Sequence, residues 1–109
     1  MKIYIAGKMG GEHCFNFERF FYWAHVLRLR GHTPLNPAEH DCMKWLEDGW
    51  LFTPDQYEDI IQYDLNLIRD EADAIFMLDG WYESPGARRE FVEATKLGIE
   101  IMYEREESV

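Results

Sequence analysis

Asp64 and Glu90 fall where an ordinary water-exposed helix would carry apolar or small side chains. In a helix opening at Ser84-Pro85-Gly86, successive residues advance by about 100°, so the face that holds Glu90 also holds Gly86, Ala87, Ala94 and Leu97, with Glu93 at its edge. Asp64, in the run QYEDIIQYDLNLIRDEAD, shares its face with Tyr57, Ile60, Ile61, Leu67 and Ile68. A carboxylate leaves water cheaply only when it is hydrogen-bonded, paired or protonated. Two that point inward from successive helices therefore demand partners or a purpose, and inward titratable groups mark functional sites. Such a pair divides labour. An ionised carboxylate attacks an electrophilic carbon while a protonated one assists the leaving group. The competing explanation is structural: each acid caps a loop amide or pairs with an arginine such as Arg88 or Arg89.

The elements that must position these acids are legible in the apolar pattern. Lys2 to Ala6 (KIYIA), ending at Gly7, reads as a buried first strand. A helix from about Asn16 to Arg30 follows, with Phe17, Phe20, Phe21, Ala24 and Leu27 on one face and Gly31 as its stop. His32 to Leu35 is a short strand before the turn Asn36-Pro37. Thr53-Pro54-Asp55-Gln56 is a capping box with proline at the first helical position, so a second helix runs from there to about Arg69. Ala74 to Leu78 is an apolar strand, Ser84 caps a third helix ending near Leu97-Gly98, and Ile99 to Tyr103 is the last strand. Residues 38–52, with Met43, Trp45, Leu46 and Trp50, carry at most a short helix. The alternation predicts one α/β domain over residues 1–109: a doubly wound, flavodoxin- or Rossmann-like parallel sheet of four strands in order 2-1-3-4, with helices on both faces.

In such a sheet ligands bind beyond the carboxyl ends of the strands where the winding reverses, here between strands 1 and 3. The loops that meet there are Gly7 to Cys14, which includes Lys8, and Asp79 to Gly86, which includes Gly80. A helix N-terminus offers amides and a positive dipole end to anions, so a phosphate is expected on Ser84, Gly86 and Ala87, with Lys8 adding charge from the facing loop. Asp79 ends the third strand and either contacts a ligand or caps the turn.

The segment LDGWYESPGARREFVEATKLGI, together with MKIYIAG and the inward Asp64, resembles the nucleoside 2-deoxyribosyltransferase superfamily, which includes the 2'-deoxynucleoside 5'-monophosphate N-hydrolases. It is most similar to a small branch found in phages and bacteria with an opening YIAG, a central NPAE and a GWxxSxGAxxE segment, here Gly80 to Glu90. The resemblance spans most of the chain, and SPGARRE with Asp64 is its specific part. It implies Glu90 as nucleophile, Asp64 as acid partner and Tyr4 as the phenol that orients the nucleophile. It also implies Ser84 as a contact to a 5'-phosphate, and a pocket completed by a second subunit in a homodimer or higher homo-oligomer. The first loop departs from the pattern: GKMGG is shorter than the hydrolase loop and lacks its serine and arginine.

The chemistry suits the residue types. Breaking an N-glycosidic bond builds positive charge at C1' and negative charge on the departing base. Glu90 attacking C1' would give a glycosyl-enzyme ester, as in retaining glycosidases with carboxyl groups about 5 Å apart. Asp64, its proton favoured by the apolar face, would serve the base. Water or a second base then takes the sugar. Trp81, or Trp45 and Trp50, either stack on a base or simply pack. The alternative from a different class is a non-catalytic module that binds a nucleotide or a nicotinamide-derived signal in the same crevice, with Glu90 hydrogen-bonding a ribose hydroxyl.

Other classes are disfavoured. A net charge of −10 argues against binding nucleic acid polymers through phosphates. No apolar run reaches the roughly 20 residues of a membrane span, and the N-terminus reads as strand and turn, so the expected compartment is the cytoplasm. Cys14 and Cys42 are too few for a disulfide framework, and His13-Cys14 with His40-Asp41-Cys42 matches no standard zinc spacing, so neither metal nor cofactor is expected. The tail Glu104 to Glu107 reads as a solvated, disordered end.

Overall fold

The computed structural model describes residues 1–9, 16–39 and 54–107. Four parallel strands form one sheet in the order β2-β1-β3-β4: β1 Lys2–Ala6, β2 Thr33–Leu35, β3 Ala74–Met77 and β4 Glu100–Tyr103. The order and the parallel sense are those the alternating pattern predicts. Helix α1 (Phe17–Leu29) lies between β1 and β2, α2 (Pro54–Glu71) between β2 and β3, and α3 (Pro85–Leu97) between β3 and β4. A 3-10 turn, Trp81–Glu83, precedes α3, and a helical turn, α4 (Glu104–Glu107), follows β4.

Side chains alternate across the pleat, so each strand serves two cores. Ile3, Ile5, Phe76 and Leu78 pack with Phe20, Trp23, Ala24 and Leu27 of α1. On the other face Tyr4, Ala6, Ile75 and Met77 pack with Ile68 of α2 and Ala94 of α3. With both faces covered, β1 and β3 are buried along nearly their whole length, which is why they read as continuous apolar runs. Tyr4 is the one residue of β1 that brings a polar tip into this interior. Pro34, which has no N–H to donate, sits in β2 at the sheet edge.

Two expectations are corrected. The inward face of α1 is Phe20, Trp23, Ala24 and Leu27, whereas Phe21 is exposed. Trp23 takes the inward place because its ring lies 4.9 Å from that of Phe76 and its indole N–H donates to Glu104 Oε2 at 2.6 Å. Glu104, assigned to a solvated tail, is buried. Its carboxylate also accepts from the Arg19 guanidinium and, at 2.7 Å, from the Asp79 backbone N–H. Three donors, one of them charged, compensate for the water it gives up. The segment 40–53, including the Thr53 cap, and the loop carrying Gly10, Gly11, His13 and Cys14 lie outside the described residues.

Helices α2 and α3 are set side by side by ion pairs on their outer edges. Arg89 donates to both Glu58 oxygens, at 2.7 and 2.9 Å, and Arg69 Nε donates to Glu93 at 2.7 Å. In sequence these pairs bracket Asp64 on one helix and Glu90 on the other. At the start of α3 the Ser84 hydroxyl accepts the Ala87 N–H at 3.1 Å, and at its end Gly98 takes the left-handed conformation, φ 70°, that glycine adopts without steric cost. No helix among the described residues is long and apolar enough to cross a membrane.

Replacing Glu104 by alanine strands the Trp23 indole and the Asp79 amide and leaves Arg19 only the Asp79 carbonyl. The expected cost is about 3 kcal/mol, read as a lower midpoint in urea denaturation. The Glu58 carboxyl is held down from 4.5 to about 2, chiefly by its hydrogen bonds to Arg89 and then Gln62. A depressed folded-state value means that this contribution is present above pH 4.5 and is lost as pH falls towards 2. Glu58→Gln is therefore expected to lower Tm slightly at neutral pH, the pair being exposed, with the difference from wild type closing across that acid window.

Candidate active site

The crossing from β1 to β3 places a cleft at the carboxyl ends of these strands, between α2, α3 and the loop after β1, with a volume of about 630 Å³ including its open mouth. Tyr4, Asp64 and Glu90 all border it. Tyr4 is fully buried, Asp64 is 4% exposed and Glu90 5% exposed, so three polar groups meet inside an otherwise apolar face. The Tyr4 phenol donates a hydrogen bond to Glu90 Oε2. A phenol in mid-strand thereby takes the place of water at a buried carboxylate and fixes its rotation. Of the two arginines offered as structural partners, Arg89 is engaged elsewhere, since it pairs with Glu58.

The mouth of the cleft is formed by the start of α3 and the loop after β1. Gly7, Lys8, Ser84, Gly86 and Ala87 border it, as expected from sequence. Lys8 Nζ is 3.5 Å from Glu83, so its charge is shared with an acid of the same rim. Gly86 permits the contact between the two helices. A Cβ there would lie 2.8 Å from Ile61 Cδ1 and 2.9 Å from the Tyr57 hydroxyl, closer than real Cβ contacts come. A larger residue there would force the Ile61 methyl and the Tyr57 hydroxyl aside.

Tyr57 is the residue that sequence reasoning assigned to the core rather than to the site. It stands on the Asp64 face of α2, two turns earlier, and its hydroxyl borders the cleft against Gly86. Burial, and next the Glu90 charge, push its phenol above the usual tyrosine value, with Asp64 adding a little; Arg89 and the Gly86 backbone oppose. The phenol therefore feels both inward acids and stays protonated near neutrality. Its seven-residue spacing from Asp64 was the available signal.

Asp79, Gly80 and Trp81 are not brought to this cleft. Gly80, at φ 89°, caps the 3-10 turn, which meets the cleft only at its last residue, Glu83. Trp81 stacks on Phe91, with ring centroids 4.7 Å apart, and so packs against α3 rather than facing a ligand there. The Asp79 amide is held by Glu104 and its carboxylate lies 3.9 Å from Arg105, on the far side of β3 towards β4. Of the other candidates, Trp45, Trp50, His40 and Cys42 lie outside the described residues. Among the described residues no group of three or more histidine, cysteine or acidic side chains could hold a metal ion.

No curated protein and no solved structure matches the chain. Every residue of the cleft, from Tyr4 to Glu90, falls within residues 1–103, the stretch that matches the domain of unknown function DUF4406, and the chain belongs to that family.

Proposed function

We propose that the protein breaks or transfers the N-glycosidic bond of a (deoxy)nucleoside 5'-monophosphate, with Glu90 as nucleophile. The observation that carries this reading is the buried Tyr4–Glu90 hydrogen bond in a cleft that Asp64 also borders. The resemblance of SPGARRE to the nucleoside 2-deoxyribosyltransferases supports the same roles.

The reaction runs in two steps. A Glu90 oxygen forms a bond to C1' as the C1'–N bond breaks, and the departing base keeps that electron pair and takes a proton from Asp64. The carboxylate ester so formed preserves the sugar in activated form. Water then attacks C1', gives its proton to Asp64 and releases Glu90, or the nitrogen of a second base does so and completes a transfer. Tyr4 holds the nucleophile in line throughout and lends its hydrogen bond again when the glutamate leaves. The sugar phosphate enters through the mouth at Ser84, and a second copy of the chain is the expected neighbour there.

Incubation with deoxynucleoside monophosphates, followed by chromatography for free base, tests the reading. Wild type is expected to release base, and Glu90→Gln to lower the rate by a factor of about 1,000 or more, because an amide is not a nucleophile. Tyr4→Phe is expected to lower kcat by about 10- to 100-fold while changing KM less, since it leaves the nucleophile present but loosely held. A nucleotide that wild type binds and leaves intact would replace catalysis with the binding-module reading.

A further inference from the structure

Two hydroxyl oxygens already occupy the open end of α3. The Ser84 oxygen accepts the Ala87 N–H at 3.1 Å, and the Tyr57 hydroxyl stands against Gly86 in the first turn of the helix. The Tyr57 oxygen lies only 2.9 Å from where a Gly86 Cβ would be. The Ala87 amide, on which a phosphate was expected to rest, is thus engaged by the protein's own Ser84 side chain. A hydroxyl that accepts from an amide has its own proton left to donate, and the amide polarises that O–H. Both hydroxyls border the cleft. The positive end of α3 is therefore relayed into the cleft through the Ser84 O–H, with the Tyr57 hydroxyl beside it.

Position along the helices says what those donors face. Helix α2 starts at the carboxyl edge of the sheet and runs back along it, so Tyr57 stands nearer the mouth and Asp64 deeper. On α3, Ser84 and Gly86 are likewise at the mouth and Glu90 is a turn deeper. A ligand whose reacting carbon meets Glu90 must place its other end between Tyr57 and Ser84. Lys8 borders the same mouth and is the one described cation there, with Glu83 beside it. An end group rich in acceptor oxygens and carrying negative charge fits this set of donors.

We propose that Tyr57 is a specificity-determining residue of this site, its phenol O–H gripping the 5'-phosphate of the substrate together with the Ser84 hydroxyl. The proposal rests on the nucleotide reading of the cleft but concerns binding alone. A phenol suits this position because burial and the neighbouring acids keep its proton in place, so it donates to a phosphate across the physiological range.

Titration of ¹⁵N-labelled protein with 2-deoxyribose 5-phosphate and with 2-deoxyribose tests it without any turnover. Wild type is expected to prefer the phosphate. Tyr57→Phe, which keeps the ring and its packing, is expected to lose about tenfold in affinity for the phosphate and nothing for the free sugar, with Tm close to wild type. Equal phosphate affinity in the two proteins, or no phosphate preference in wild type, overturns the proposal. Absence of base release with a Tyr57-dependent phosphate preference would sink the proposed reaction and leave the role of Tyr57 standing.

Discussion

The hydrogen bond from Tyr4 to Glu90 joins the first strand to the third helix across 86 residues of chain, and the rest of the site depends on it. A carboxylate under a helix that covers a parallel sheet has no water to rely on, so the sheet itself must supply a donor. Only a strand central in the sheet can reach it. The order β2-β1-β3-β4 puts β1 beside β3, directly beneath α3, and Tyr4 occupies one of the β1 positions whose side chains face that helix. The Ser84 cap sets where α3 begins, and Glu90, six residues on, is carried back over the same strand. Gly86 lets α3 close on α2, which brings Asp64 to the same cleft.

The second buried glutamate makes the contrast clear. Glu104 is set against an arginine, an indole N–H and a backbone amide, well away from the cleft, and its work is to tie the end of β4 to α1 and to the turn after β3. A cation at hydrogen-bonding distance favours the ionised form and suits a structural role. Glu90 instead meets a neutral phenol at the edge of a cavity. A neutral donor orients a carboxylate while withdrawing less of its electron density than a guanidinium would, which is the condition a nucleophile needs.

What was legible in the sequence was local. The short apolar runs of the strands, the Ser84 and Gly98 caps and the inward placement of Asp64 and Glu90 on a period of about 3.6 residues are all set by neighbours along the chain. The misreadings arose where a distant partner decided. Phe21 and Trp23 are both compatible with an apolar stripe on α1, and the choice falls to Trp23 because Phe76 and Glu104 receive it. Glu104 sits in a charged run that looks solvated, and its partners are 25 to 85 residues away. Trp81 follows the strand end in sequence, yet the turn at Gly80 carries it onto Phe91. Tyr57 escaped notice for a different reason. Periodicity assigns a tyrosine to a face but cannot say whether its hydroxyl meets core or cleft, and only the Gly86 contact across the helix pair decides that.

Charge constrains how such a cleft recognises a ligand. The chain carries a net charge of −10, and among the described residues Asp64, Glu83 and Glu90 border the cleft against one cation, Lys8. The long-range field of the protein repels an anion, so electrostatic steering cannot bring a nucleotide in. Under the proposed reading, recognition falls to short-range donors that act on contact, and a hydroxyl backed by a helix amide, as Ser84 is, adds no net charge and yet presents a polarised proton. The same economy governs the interior, where Tyr4 stabilises Glu90 without neutralising it. If the cleft works as proposed, holding a reactive carboxylate and an anionic substrate together, phenols and a serine suit it better than arginines, and Arg89, next to Glu90 in sequence, is paired with Glu58.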